Sequence, residues 1–325
     1  MFRFFLFLAA IASVAVAVEG FARSSSVSSS RVSSDTARNA VEAWTEADLI
    51  KDKIQADNSQ NDDTVKIPRD FHIKAELLDP KSAFATAEEL TKADRETDDS
   101  NVVATKIVHF QRHGQGYHNL LGDVLRDVGV RPDIHSSDAS INPWLRSEIV
   151  DSPLTALGKQ QCEGQRSVAS LLKPDVVIVS PLLRAIETAK LSFADYDGEV
   201  PWLAHEGCRE ELGWLVCNKR RKLSEIKANF PDIEFPPNMT EEDTLWDPSG
   251  FESETHKGNR VYDFLVNFLA ERPEHNIAVV CHSAWLSHMC NDVLDCGGDP
   301  NMTSWFDVSE IRSMKLTFTK ADAAE

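Results

Sequence analysis

Three short apolar runs decide what this chain can fold into: "KIVHFQ" (106–111), "DVVIVS" (175–180) and "NIAVVCH" (276–282). They are rich in β-branched residues, and each leads into a polar loop and then a helix-like stretch. Runs without apolar–polar alternation suit strands buried on both faces, as in a parallel sheet covered by helices. The spacing predicts a long helix over 152–173, entered after Pro153 with Gly158 tolerated near its start. Further helices are predicted over 181–193 and 259–273, the last stopped by Pro273. The expected fold class is therefore α/β, a three-layer αβα sandwich with a mostly parallel central sheet. With 325 residues, 42% of them apolar, the chain can build one large domain or two small ones. The globular domain is expected over 102–320, followed by a tail at 321–325. No internal repeat is visible.

The region before 102 reads differently. Behind Arg3 lies an apolar run from Phe4 to Val18, broken only by Ser13. It is short for a spanning helix and suits a signal peptide over 1–20, with cleavage near Ala15-Val16-Ala17 or a few residues later; a membrane anchor or a buried helix is the other reading. Residues 21–38 hold eight serines and three arginines but one acid, Asp35. That composition fits either a transit-like segment opened by Phe21 or a Ser-rich linker. The expected route is thus entry into the secretory pathway, followed by secretion or by delivery to a plastid through a bipartite presequence. Residues 39–101 form an acidic extension. Ala37, Ala40, Val41, Trp44 and Ala47 are spaced for a short helix near 37–56, and 57–63 and 95–101 read as solvated loops. The extension is expected to pack outside the domain or stay partly mobile, without chemistry.

In open α/β sheets ligands bind beyond the carboxyl ends of the strands. The first run ends in Gln111-Arg112-His113-Gly114. The second ends in Ser180-Pro181, with Arg184 one turn into the next helix. The third ends in Cys281-His282-Ser283. Two arginines and two histidines, with no carboxylate at the same places, suggest an anion site. The alternative is that they cap helices or satisfy buried carbonyls.

"RHG" after a strand, "LTALGKQQC" (154–162), "SPLLRAIETA" and "VVCHS", in this order, resemble the histidine phosphatase superfamily, which includes the cofactor-dependent phosphoglycerate mutases. The resemblance covers about 103–318 and implies a phosphoglycerate mutase-like fold. "CREELGWLVCNKRR" (208–221) further resembles a plant and fungal branch of phosphoglycerate-mutase-like proteins.

The resemblance implies that His113 is a nucleophile forming a phosphohistidine. A neutral imidazole approaches a phosphate dianion without the repulsion an anion would meet, provided an acceptor fixes its other nitrogen, such as a carbonyl of the RHG turn. Arg112, Arg184 and His282 would surround the transferred phosphoryl group, where arginine's planar fork fits phosphate oxygens. Asn119 is either a phosphate contact or a loop cap. One carboxylic acid can protonate the leaving alkoxide and then activate water. Glu210 is the better candidate, by the "RE.LG" form of the plant and fungal branch, and Glu211 the understudy. Many members place the acid four residues before the glycine, whereas Glu210 lies three before Gly213 and Arg209 takes the other position. The mutase-type "ERHYG" is missing after the acid, which favours hydrolysis. The implied function is a metal-independent phosphatase with no cofactor. The rivals are a phosphotransferase isomerising sugar phosphates and a non-catalytic phosphoryl-ligand-binding protein.

Lys219, Arg220 and Arg221 form a basic run that either extends the site towards a second anionic group or begins a solvated helix. His109, His113 and His118 do not complete a metal set, since His109 and His113 point differently if 106–111 is a strand. Six cysteines without CxxC spacing permit disulfides without implying them. Asn238-Met239-Thr240 and Asn301-Met302-Thr303 are sequons usable along a secretory route. A net charge of −18 rules out a global basic footprint for nucleic acid. The expected partner is a small phosphorylated substrate, with no nucleic acid and no membrane insertion once the signal is removed.

Overall fold

The computed structural model describes Thr45, Asp48, residues 66–93 and residues 101–321. The expected signal peptide, the Ser/Arg-rich stretch, the loop at 57–63 and, apart from Thr45 and Asp48, the helix near 37–56 lie outside the described residues.

The elements run β1 (Phe71–Leu78), α1 (Pro80–Ala93), β2 (Val102–Arg112), α2 (Tyr117–Asp127), α3 (Ala156–Leu172), β3 (Val176–Val179), α4 (Leu183–Ser192) and β4 (Trp202–Ala204). There follow α5 (Leu223–Asn229), α6 (Glu254–Asp263), β5 (Asn276–Cys281), α7 (Ser283–His288), α8 (Pro300–Thr303) and β6 (Ile311–Lys320). Wider π-helical turns prolong α6 over Phe264–Ala270 and α7 over Met289–Val293.

The six strands form one sheet in the order β1-β6-β2-β5-β3-β4. The pairs β2–β5, β5–β3 and β3–β4 are parallel, and β6 runs antiparallel to both β1 and β2. The apolar runs fill both faces because successive side chains alternate. Val108, Phe110, Val176, Ile178, Ile277 and Val279 face α6 and α7. Val177, Val179, Ala278 and Val280 face α3 and α4. The result is the expected αβα sandwich with a mostly parallel sheet.

The N-terminal side differs from expectation. The sheet starts at Phe71, within the segment expected to lie outside the domain. Phe71–Leu78 pairs along its whole length with β6, and Ala83 and Ala87 of α1 pack on Ile107. The charged residues Lys74 and Glu76 sit on the exposed side of this edge strand and pair with each other at 2.9 Å. The long helix begins at Ala156 rather than just after Pro153, because Thr155 caps it: its side chain accepts from Gly158 N at 2.9 Å.

Candidate active site

The three expected strands lie side by side at the centre of the sheet, in the order β2-β5-β3. Arg112 is level with Cys281, and Val179 with Val280. The residues after each strand therefore emerge at one height: His113 N donates to Cys281 O at 3.0 Å, and Ser180 N to Val280 O at 3.0 Å.

His113 is buried and doubly held. Its Nδ1–H donates to the Gly114 carbonyl at 2.7 Å. A carbonyl only accepts, so the ring carries its proton on Nδ1 and its lone pair on Nε2. The Nε–H of Arg184 donates to that Nε2 at 3.2 Å. Burial, then the charges of Arg184 and Arg112, push the imidazole well below the usual histidine range, so the ring is neutral. The turn itself is fixed by Thr188, whose hydroxyl accepts from Gly114 N at 3.0 Å and donates to Arg184 O at 2.7 Å. A β-carbon at Gly114 would lie 2.6 Å from both Cys162 Sγ and Gly158 O, so only glycine allows this turn to rest on α3.

Arg184 uses the rest of its fork on the turn after β4. Nη1 donates to Cys217 O and Nη2 to Asn218 Oδ1, each at 2.8 Å. Asn218 is fixed in turn by donating to Glu211 O at 3.0 Å. Arg112 is buried, with Nη1 on Phe306 O at 2.8 Å. His282 starts α7, its ring centroid 5.1 Å from that of His113 and its Nε2 2.7 Å from Ser180 Oγ. His282 Nδ1 is buried and has no hydrogen-bond partner among the described residues.

The two candidate acids separate. Glu210 reaches into the histidine pair: one ligand atom each from His113, Glu210 and His282 lies within 4.8 Å of the others. Its Oε1 accepts from Trp285 N at 3.2 Å and from Glu211 N at 3.0 Å, while Oε2 accepts from Ala284 N at 3.4 Å. Glu211 instead pairs with buried Lys257 of α6 at 2.7 Å. Asn119 plays its loop-capping part, Oδ1 accepting from Gly116 N at 2.9 Å, and also lines a cleft with Arg184 and Glu210.

Of the basic run, Arg220 and Arg221 each have partners on neighbouring loops. Arg220 is buried against Glu206 at 3.2 Å and donates to Arg221 O and Thr240 O, each at 2.8 Å. Arg221 reaches Val150 O at 3.4 Å. Arg220 braces the 240–243 loop and Arg221 the 150–151 turn. A guanidinium buried beside a carboxylate and carbonyls is a scaffold element, and sequence proximity to the acid cannot distinguish this from a substrate contact.

Three residues join the site without having been singled out for it. His118, weighed only as a metal ligand, lines the cleft with its ring centroid 5.4 Å from that of His113. Burial and the Arg184 charge hold it well below the usual range. Its place in the first turn of α2, just after the His113 loop, was a usable signal. Thr188 lies four residues after Arg184 on one helix face, also readable in principle. Asn218 carries no local signal at all. His109 is a core residue, its ring between Ser313 Oγ at 2.8 Å and Asn276 Oδ1 at 2.7 Å.

Two imidazoles and a carboxylate at one point are a possible metal set by composition. The guanidiniums of Arg184 and Arg112 bear on the same point, their charges already felt by His113. That positive charge opposes a cation at this point and favours an anion.

Residues 144–323 match the sequence model of the histidine phosphatase superfamily (branch 1). The matched stretch holds Arg184, Glu210 and His282 and begins after the loop that carries Arg112 and His113. The chain is 34% identical over 244 residues to "Phosphoglycerate mutase-like protein" of Arabidopsis thaliana, spanning 65% of this chain and 84% of that one. It is 28% identical over 244 residues to "Phosphoglycerate mutase-like protein 1" of the same plant, spanning 65% of this chain and 81% of that one. Among solved structures, "Mycobacterial hydrolase 1" is similar with a TM-score of 0.40 and 18% identity, covering 67% of this chain and 97% of that chain.

Proposed function

Because the chain belongs to the histidine phosphatase superfamily, we propose that it hydrolyses phosphate monoesters through a phosphohistidine at Nε2 of His113, without a metal. The observation that carries the reading is the state of that ring. Nδ1 is tied to the Gly114 carbonyl at 2.7 Å, which leaves a lone pair on Nε2, and Arg184 stands 3.2 Å from it. A neutral nucleophile ringed by guanidiniums suits an incoming dianion.

The Nε2 lone pair attacks phosphorus and the P–O bond to the leaving group breaks. A proton from Glu210 goes to the departing oxygen, so the alcohol leaves neutral. Water then gives a proton back to the Glu210 carboxylate as its oxygen attacks phosphorus. The N–P bond breaks, and phosphate leaves with the starting imidazole restored. Arg184, Arg112 and His282 hold the equatorial oxygens throughout, which is where phosphoryl transfer needs stabilisation.

The names of the relatives raise a mutase as the other outcome. A mutase must keep a second anionic group in place, and Arg220, the buried member of the basic run, is engaged with Glu206 and with backbone carbonyls. That supports hydrolysis.

The test is labelling and product analysis together. A phosphorylated substrate should leave an acid-labile, base-stable label on the wild-type protein and none on His113→Ala, with free phosphate as product. Wild-type rates in His113→Ala would overturn the mechanism, and an isomerised ester in place of phosphate would make the protein a mutase.

A further inference from the structure

The cleft that Arg184 and Glu210 line has a volume of about 110 Å³ and extends past the reacting centre to Ile134, Trp144 and Leu215. Its walls differ in kind from its floor. Ile134, Trp144, Leu215 and Cys217 give the cleft an apolar lining, with Cys217 nearest the reacting centre through its carbonyl on Arg184. They belong to a small apolar cluster built on Leu121 and Leu125 of α2, against which Phe251 packs. The indole N–H of Trp144 donates to His118 O at 3.1 Å, so its polar edge is satisfied within the wall.

The charges along this outer part are already balanced. Arg126 pairs with Asp123 at 3.0 Å, and Asp123 also accepts from Gln115 Nε2 at 2.8 Å. Glu211 pairs with Lys257 at 2.7 Å. Among the described lining residues outside the reacting centre, Arg126 is the only cation, against the carboxylates of Asp123 and Glu211. A second phosphate or a carboxylate on the substrate would meet two ion pairs, Arg126–Asp123 and Lys257–Glu211, whose cations are already committed. An apolar body would meet a preformed apolar wall, where burial is favourable.

Resting on the phosphatase reading, we propose that the substrate is the phosphate monoester of an uncharged, largely apolar alcohol whose body lies along Ile134, Trp144 and Leu215. Small metabolites that carry a second negative group are discriminated against.

The test separates this proposal from the reading beneath it by using ligands that cannot turn over. Calorimetric titration of the full chain would compare naphthylmethylphosphonate, methylphosphonate and 3-phosphonopropionate. The naphthyl ligand should bind at least tenfold more tightly than 3-phosphonopropionate. Leu215→Gln, at a half-buried position that tolerates an amide, should weaken the naphthyl ligand about fivefold and leave methylphosphonate within twofold. Equal or tighter binding of 3-phosphonopropionate overturns the proposal, as does binding of none of the three or indifference of the naphthyl ligand to Leu215→Gln. In parallel, phosphate release from 2-naphthylethyl phosphate and from 3-phosphoglycerate would be followed. Release from neither, with the phosphonate ranking intact, sinks the phosphatase reading alone. Preferred release from 3-phosphoglycerate sinks the substrate class alone.

Discussion

A β-carbon on Gly158 would lie 2.1 Å from the carbonyl oxygen of Gln115, so helix α3 and the loop carrying His113 meet backbone to backbone. Thr155 N also donates to that carbonyl, at 2.9 Å. Gly158→Ala must therefore push the loop away. We expect a loss of about 10²-fold in kcat from a displacement near 1 Å, with stability down by about 1–3 kcal/mol from overpacking. Gly164→Ala, on the same helix with nothing within 4 Å, should leave kcat unchanged. Steady-state kinetics and urea denaturation check both; equal behaviour of the two variants would contradict the account.

Arg184 divides its guanidinium among His113, Cys217 and Asn218. Lysine has no such fork, so Arg184→Lys should keep the charge and lose the geometry. The expected loss in kcat/KM is about 10²–10³-fold, the size seen for one preorganised donor. Asn218→Ala should lose less and in the same direction, since it removes a support of Arg184. Kinetics of the two single variants and the double variant would check this: losses that multiply fully would mean that Asn218 does not act through Arg184.

Glu210→Gln should slow alkyl phosphates by about 10²–10⁴-fold and an activated aryl phosphate far less, because the latter departs without a proton. Glu211→Gln should behave differently. It strips buried Lys257 of one partner, and although Glu254 still pairs with that lysine at 2.9 Å, the main consequence is lower thermal stability. A leaving-group dependence in Glu211→Gln would exchange the two roles.

Acid should destabilise the fold from near pH 6.5 downward. Burial lowers His109 and His205 to about 4, and lowers His113, His118 and His282 well below their usual value. Between those depressed values and about 6.5 the unfolded chain binds protons that the folded chain refuses. Stability is thus complete above about 6.5 and lost as pH falls below it. His109 alone accounts for about 3 kcal/mol by pH 4. Asp151 and Glu187, whose carboxyls burial raises, act in the opposite sense, favouring the fold at low pH. Five groups against two should leave a net fall in the urea midpoint between pH 6.5 and 5, shallower in His109→Gln. A flat midpoint over that range would refute it.

Chelation should leave activity intact, because Arg184 and Arg112 supply the positive charge at the point where His113, Glu210 and His282 converge. Incubation with a strong chelator, followed by assay with and without added divalent ions, checks this. A loss restored by one ion would mean that the three groups serve as ligands.

What could be read along the chain was whatever depends on near neighbours. Val176–Val179 and Asn276–Cys281 are buried on both faces, so their composition alone marks them as central strands. Thr155 caps α3 through a contact three residues away. The convergence of Arg112, His113, Arg184 and His282 followed from the rule that parallel strands present their carboxyl ends together.

Only the tertiary structure decided the rest, because the deciding contacts join residues far apart in sequence. Whether Phe71–Leu78 is a tail or a strand depends chiefly on β6, more than 230 residues later, which pairs with its backbone along the whole length. Glu210 and Glu211 are neighbours of the same chemistry; Lys257 claims one of them, and the other turns to the histidines. Arg220 could face a substrate or a carboxylate, and Glu206 takes it because a buried guanidinium needs a fixed counter-charge. Residue type determined which chemistry was available to this chain; burial and long-range pairing determined which copies of each type were left to perform it.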